Sequence, residues 1–550
     1  MARRPDFDLA SELGKPSFTP ARADAPALVS LIVEGAEPAA TRAAAALARL
    51  GDRAAIEARL AASGGAAPDD GARARLVGAL GALARAGDGA AQEAVIARMQ
   101  DASARVRRAA AHALGKIGAH EGARAALLAR WDAADVPPDE RRALAEALGK
   151  VGGDAALARL RSIEAGGDAE LARRRDRALL MADRAARRGE ESAIDPAAPP
   201  PAPVTVTLGC RAGLAPLLAE ELAALGLGPA RQSDEGDGVE LSLAGPWSSL
   251  FASRLWATAA VQIPLPLAPA APSSPRAKAG DRGDRVPDPD ALAAAIARSI
   301  AAPETRALLR AWTLGPIRWR LGFASGHKRA IVWRVARDVT AAAPELINDP
   351  TATTWDFLVG ADLRSLELVP RRLADPRFSW RVAEVPAASH PTVAAALAWA
   401  GEARAADRVW DPFCGAGAEL VERARRGPYR ALHGSDVDDA ALAAARANLD
   451  AAGLTAALAR GDARTFAPGE VDLILTNPPL GSRVALDAAA LLAAALPNLA
   501  SRLAPGGRLV WITPAPRRTE PVAERCGLRR TRALPVDLGG VRGQLERWDR

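Results

Sequence analysis

Between about residues 25 and 188, apolar positions recur at helical spacing in a field of alanine, leucine and arginine, and the pattern repeats. Leu47, Leu80, Leu114 and Leu148 stand 33, 34 and 34 residues apart, each within an Ala-Leu-Gly or Ala-Leu-Ala run. A fixed period of that size marks stacked helical repeats, in which no unit buries its apolar stripe alone. In the clearest unit Val106, Ala109, Ala110, Ala113, Leu114 and Ile117 share one helical face, Arg105, Arg107 and Arg108 are expected to point away from it, and Gly115 and Gly118 are expected to end the helix. Beyond the proline-rich residues 194–203, the period changes: residues 204–208 and 239–243 alternate as strands, and residues 214–225 form an amphipathic helix. Residues 317–323 and 330–335 are expected to pair as strands. After residue 386, strands and helices alternate, the pattern of a doubly wound α/β domain.

These changes of pattern divide the chain. The expected pieces are a tail at 1–24, helical repeats at 25–190, a stiff linker at 191–203, an α/β module at 204–345 with a flexible insertion at 264–290, a connector at 346–385 and an α/β domain at 386–550. The segment from residue 101 to 118 resembles a HEAT repeat, and such arrays imply a docking surface for a protein or RNA partner.

Composition narrows the classes. At 49% hydrophobic the chain has material for several cores, and three dispersed cysteines with five scattered histidines argue against a disulfide framework or a structural metal site. The first 20 residues lack the apolar segment of a secretory signal, and the most lipid-like stretch, residues 255–272, is interrupted by Pro264, Pro266, Pro269 and Pro272. A cytoplasmic protein without a membrane partner is the expectation. Net charge is only +7, with five lysines against 67 arginines. Its distribution says more: Arg318, Arg320, Lys328, Arg329, Arg334 and Arg337 face one acid, Asp338, among Trp312, Trp319, Phe323 and Trp333. Cations interleaved with rings suit RNA, so Arg318, Arg320, Lys328, Arg329 and Arg334 are candidate RNA-binding residues. Arg517, Arg518, Arg525, Arg529, Arg530 and Arg532 form a second cluster, either a solvated face or a phosphate contact.

The chemistry lies in the last third. A strand at 408–410 runs into Asp411-Pro412-Phe413-Cys414-Gly415-Ala416-Gly417 and then a helix, so glycines let the backbone approach a nucleoside-like ligand at a helix start. Nineteen residues after Gly417, Asp436 ends a second strand within Ser435-Asp436-Val437-Asp438, where a carboxylate can grip ribose hydroxyls. Asp462 and Ala463 follow 26 residues on, a turn able to accept from an adenine amine, and 15 residues later comes Asn477-Pro478-Pro479-Leu480. Glu419 and Leu420 break the dinucleotide glycine pattern, and no Walker lysine is present, which excludes nicotinamide and ATP sites.

This set resembles class I S-adenosylmethionine-dependent methyltransferases acting on an amino nitrogen. The resemblance implies S-adenosyl-L-methionine as cofactor, held by Asp411, Phe413, Cys414, Gly415, Gly417, Asp436, Val437, Asp438, Asp462, Ala463 and Asn477, with Asn477, Pro478, Pro479 and Leu480 catalytic and no metal. An exocyclic amine donates its lone pair into its ring, so acceptors must hold its hydrogens, and the Asn477 side-chain oxygen and the Pro478 carbonyl are the candidates. Upstream, Gly209-Cys210-Arg211-Ala212-Gly213-Leu214 and Gly245-Pro246-Trp247, with Arg377-Phe378-Ser379-Trp380-Arg381 and Ser389-His390-Pro391, resemble THUMP-domain RNA methyltransferases. That implies methyl transfer to guanine N2 of rRNA or tRNA. His390 is expected to cap a helix rather than act as a base.

Leu480 departs from the family, which usually places an aromatic there to stack on the base, a contact worth about 1–3 kcal/mol. Ala416 and Ala418 stand where hydroxyl residues are common. A non-catalytic RNA-binding scaffold therefore remains as an alternative, as does methylation of a protein amide.

Overall fold

The computed structural model describes residues 8–15, 18–62, 68–186, 190–232, 236–267, 288–326, 328–386, 388–480 and 487–550. In the amino-terminal part, helices Ala39–Leu50, Asp70–Arg85, Ala104–Ile117, Pro138–Val151 and Ala169–Ala186 stack in succession, with shorter helices returning between them. Aspartates at 52, 69 and 88 cap three of these helices by accepting backbone N–H groups. Leu47, Leu80, Leu114 and Leu148 are all fully buried.

Two expectations for this region are corrected. Gly115 does not end its helix; only Gly118 caps it. Instead Gly81, Gly115 and Gly149 lie inside successive helices, where an added Cβ would come 2.5 Å from the Cβ of Ala113, 3.2 Å from the Cα of Ala147 and 2.4 Å from the Cα of Ala178. The recurring glycine is thus a close-packing residue between neighbouring units. Arg107 is buried, not outward, because Glu140 accepts from its Nε at 2.9 Å and from Arg130 Nε at 2.6 Å. Part of the expected tail also packs: Leu9, in the short helix Leu9–Glu12, joins the helical core.

The central sheet has eight strands in the order Ala230–Gln232, Gly238–Leu243, Val204–Gly209, Thr258–Ile263, Leu366–Pro370, Trp355–Val359, Ile317–Phe323 and Leu346–Asn348. Residues 346–370, expected as a connector, therefore supply three strands of this sheet. Residues 330–335, expected as a strand, lie in the helix Arg329–Ala342, whose Ile331, Val335, Ala336 and Val339 are buried at helical spacing. The expected spacer at 191–203 is a packed strap: Ala193–Ile194 pairs with Thr313–Leu314, Asp195 N donates to Trp312 O at 2.9 Å, and Trp312 Nε1 donates to Ala198 O at 3.0 Å. Of the expected insertion at 264–290, residues 268–287 lie outside the described residues.

The carboxy-terminal sheet runs Ala457–Arg460, Ala431–Asp436, Arg408–Asp411, Val471–Thr476, Leu503–Thr513, Arg542–Asp549 and Arg529–Asp537. Six of its strands run in one direction, and Arg542–Asp549 alone, between Leu503–Thr513 and Arg529–Asp537, runs against them. Buried Asp407 accepts from Arg423 and Arg508, each at 2.8 Å, and ties the start of Arg408–Asp411, the first strand in chain order, to a helix and to the fifth strand. The first strand lies between the second and the fourth, so the chain order reverses at its carboxyl end, where ligands bind in such sheets. The central and carboxy-terminal units are locked together by Arg254, which donates to buried Glu422 at 2.5 Å, and by Arg532, which pairs with Glu220 at 3.0 Å.

Candidate functional site

A cleft of about 660 Å³ opens at that reversal, lined by the glycine-rich turn, Asp436–Asp438, Gly461–Arg464 and Asn477–Leu480. All the residues assigned to the cofactor from sequence except Asp411 and Gly417 line it, as do all four assigned to catalysis. Gly417 sits just behind, at φ +81, with Ala445 filling the space of any Cβ. Gly415 also has positive φ, and its N–H donates to Asp436 Oδ2 at 3.0 Å, while Asp438 N donates to Asp436 Oδ1 at 3.1 Å. The Asp436 carboxylate is thereby fixed in the cleft wall beside exposed Val437. Asp438 accepts from Ala440 N and caps the following helix. Asp462 is held by Arg464 at 2.6 Å, which keeps its pKa below the ordinary carboxylate range.

Asp411 is fully buried, and its Oδ1 accepts from Thr476 Oγ1 at 2.6 Å and Phe413 N at 3.1 Å, but its Oδ2 has no hydrogen-bond partner among the described residues. Burial, reinforced by neighbouring Glu419, raises its pKa well above the usual value. Burial also pushes Glu419 up to about 7, although Ser389 Oγ donates to it at 2.5 Å. Glu419 thus lines the cleft with Asp411 buried behind it, two carboxyl groups that a nearby cationic ligand would favour in their charged form. Cys414 is buried and its thiol is pushed up by that burial, so it serves as a small packing residue.

Ser389 organises the Asn477 end of the cleft. Its single hydroxyl proton goes to Glu419, so it accepts from Asn477, whose Nδ2 donates at 2.9 Å. The amide orientation is set by that relay, and Asn477 Oδ1 is left buried with no partner in the described structure. A buried amide oxygen without a donor is costly unless a ligand supplies one. Neither Ser389 nor Glu419 was read from sequence as functional. In the sequence Glu419 stands out only as a departure from a glycine pattern, and nothing local links Ser389 to Asn477. His390 caps the helix Pro391–Ala400, and burial, with nearby Arg211, lowers its pKa.

The basic, aromatic stretch looks different in the fold. Arg318 is 1% exposed and donates to Asp349 at 2.9 Å, and Trp312 and Trp319 are fully buried, so Arg318 is a core ion-pair residue and not an RNA contact. Arg320 pairs bidentately with Asp356 at 2.7 Å, and Arg334 with Asp290. Lys328 lies 6.0 Å over the Phe323 ring, and Arg329 is exposed. The alternation of charge and ring therefore records strand and helix burial more than a binding face. In the second arginine cluster, Arg518, Arg530 and Arg532 pair with Asp487, Glu520 and Glu220.

Residues 379–544 match the RMKL-like methyltransferase domain family. Residues 63–149 match HEAT repeats. Over 161 residues the chain is 36% identical to a tRNA (guanine(6)-N2)-methyltransferase of Thermus thermophilus, covering 28% of this chain and 47% of the relative. Over 79 residues it is 44% identical to ribosomal RNA small subunit methyltransferase C of Pseudomonas entomophila, covering 14% of this chain and 24% of the relative. The chain thus spans less than half the length of these curated relatives. Among solved structures, TrmN from Thermus thermophilus superimposes with a TM-score of 0.48 and 24% identity, over 63% of this chain and 99% of that one. No described helix is long and apolar enough to cross a membrane.

Proposed function

We propose that the protein is an S-adenosylmethionine-dependent RNA methyltransferase that places a methyl group on an exocyclic base amine, guanine N2 of tRNA or rRNA. The observation carrying this reading is the buried, partnerless Asn477 oxygen, whose orientation Ser389 sets beside a glycine-turn cleft. The residues present fit the cofactor. Gly415 and Gly417 open the turn to a close backbone approach, Asp436 offers acceptors suited to ribose hydroxyls, and the orphaned Asp411 oxygen with Glu419 suits a positively charged group. When bound, the cofactor supplies a methyl already activated by its sulfonium. The protein's part is then position: Asn477 Oδ1 holds an amine hydrogen and keeps the nitrogen lone pair aimed into the cleft, so a strong general base is unnecessary.

The named activities of the sequence relatives support the guanine N2 assignment. The sheet at residues 204–370 serves as a THUMP-like RNA holder, and the helical repeats as an added docking arm for RNA or a protein. Leu480 lines the cleft where an aromatic would stack, and it favours a second reading, a scaffold that binds the cofactor without turnover. Labelled S-adenosylmethionine with unmodified RNA separates the two. Transfer of label by the wild type and not by Asn477→Ala supports the enzyme, whereas cofactor binding lost in Asp436→Ala without any transfer supports the scaffold.

A further inference from the structure

The cleft is not built by the carboxy-terminal domain alone. The turn from Gly209 to Leu214, between strand Val204–Gly209 and helix Ala215–Ala224 of the central unit, leans onto the hairpin formed by Arg529–Asp537 and Arg542–Asp549. Asp537 N donates to Ala212 O at 3.0 Å, and Gly213, at φ +91, sits so close that a Cβ would lie 1.9 Å from Pro535 O. On its own side the turn is tied by Cys210 N to Asp237 O at 2.7 Å and by Gly213 N to Gly236 O at 3.0 Å. A turn held from both sides presents its side chain with little freedom. That side chain is Arg211, which lines the cleft with Leu538 and Val541 of the hairpin and with His390, Pro478, Pro479 and Leu480.

Arg211 differs from the other arginines at this junction. Arg254, Arg377 and Arg532 each pair with a carboxylate, and so does the other cleft-lining arginine, Arg464, through Asp462. Among the described residues Arg211 has no such partner. The carboxylates that line the cofactor side are Glu419, Asp436, Asp438 and Asp462, and Arg464 is already paired with Asp462, so Arg211 is the lining guanidinium with no carboxylate partner among the described residues. Every nucleotide brought to Asn477 carries a phosphodiester with it, and a planar guanidinium binds phosphate oxygens through two parallel hydrogen bonds.

Resting on the methyltransferase reading above, we infer that Arg211 is a substrate-positioning residue, contributed by the RNA-holding unit, that grips the phosphodiester of the nucleotide presented to Asn477. It makes the active site composite: the methyltransferase domain aims the methyl, and the other unit sets the register of the RNA.

The test uses the full chain as wild type, Arg211→Ala and Arg211→Lys, with a pool of unmodified tRNA transcripts as probe. Losing one phosphate contact lowers the slope of log affinity against log salt by about 0.7–0.9. Arg211→Ala is expected to show that loss, to raise KM for the transcripts about tenfold with kcat within about twofold, and to leave S-adenosylmethionine affinity by calorimetry and the melting temperature unchanged; Arg211→Lys recovers most of the salt slope. An unchanged slope overturns the inference, and so does weakened cofactor binding with the slope intact, which would give the guanidinium to the cofactor's carboxylate. Absence of methyl transfer by the wild type would count against the enzymatic reading, while the slope would still decide the phosphate contact.

Discussion

Replacing Ser389 by alanine removes one hydroxyl and breaks two hydrogen bonds, the 2.5 Å donation to Glu419 and the 2.9 Å acceptance from Asn477 Nδ2. A hydrogen bond to a charged group contributes about 1.5–3 kcal/mol and a neutral one about 0.5–1.5 kcal/mol. Glu419, whose pKa already stands at about 7, can take up a proton when its donor is lost, which caps the first cost. Stability should therefore fall by only about 1–3 kcal/mol. The larger effect is on chemistry. Without Ser389 the Asn477 amide has no partner to fix which end faces the amine, and misplacement of such a group costs up to about a hundredfold in rate. Steady-state transfer of labelled methyl to unmodified RNA should show kcat reduced about tenfold to a hundredfold, a larger loss than that in cofactor affinity, and Ser389→Thr, which keeps a hydroxyl, should recover much of it. A kcat for Ser389→Ala within about twofold of wild type, alongside a lowered melting temperature, would refute the relay and leave Ser389 a stabilising residue only.

The buried carboxyl at 419 predicts a pH signature. Between its ordinary value of 4.5 and about 7, the native protein holds a proton there that the unfolded chain has lost, so native stability should fall as pH rises through that window. Thermal melts of Glu419→Gln should lack this component, and cofactor affinity of the wild type should tighten toward pH 7 with proton release, measured by calorimetry in buffers of different ionisation enthalpy. In the helical array, Gly149→Ala would drive a Cβ to 2.4 Å from the Cα of Ala178 and should destabilise by about 1–3 kcal/mol in chemical denaturation. Gly78→Ala, in an exposed helix interior with nothing within 4 Å, should stabilise by about 0.5–1 kcal/mol.

What could be read from sequence was local. The glycine-rich turn, Asp436, Asp462 and Asn477 each follow a strand by a short loop, so their spacing along the chain carries their meeting in space, and all line one cleft. The 34-residue leucine period likewise survives as a buried column. What failed to show was non-local. Ser389 and Asn477 are 88 positions apart, and Arg211 reaches the cleft from another unit. Residues 346–370 read as a connector because their strands are short and complete a sheet begun at residue 204. Arg318 read as an RNA contact because sequence shows charge without showing Asp349 across from it.

Methyl transfer to a guanine amine beside Asn477 is tested most directly by its product. Incubating the purified protein with labelled S-adenosylmethionine and unmodified tRNA and rRNA, then digesting the RNA to nucleosides, should put the label in N2-methylguanosine for wild type and in nothing for Asn477→Ala. Label in a different nucleoside, or none with RNA under conditions where the cofactor binds, would contradict it.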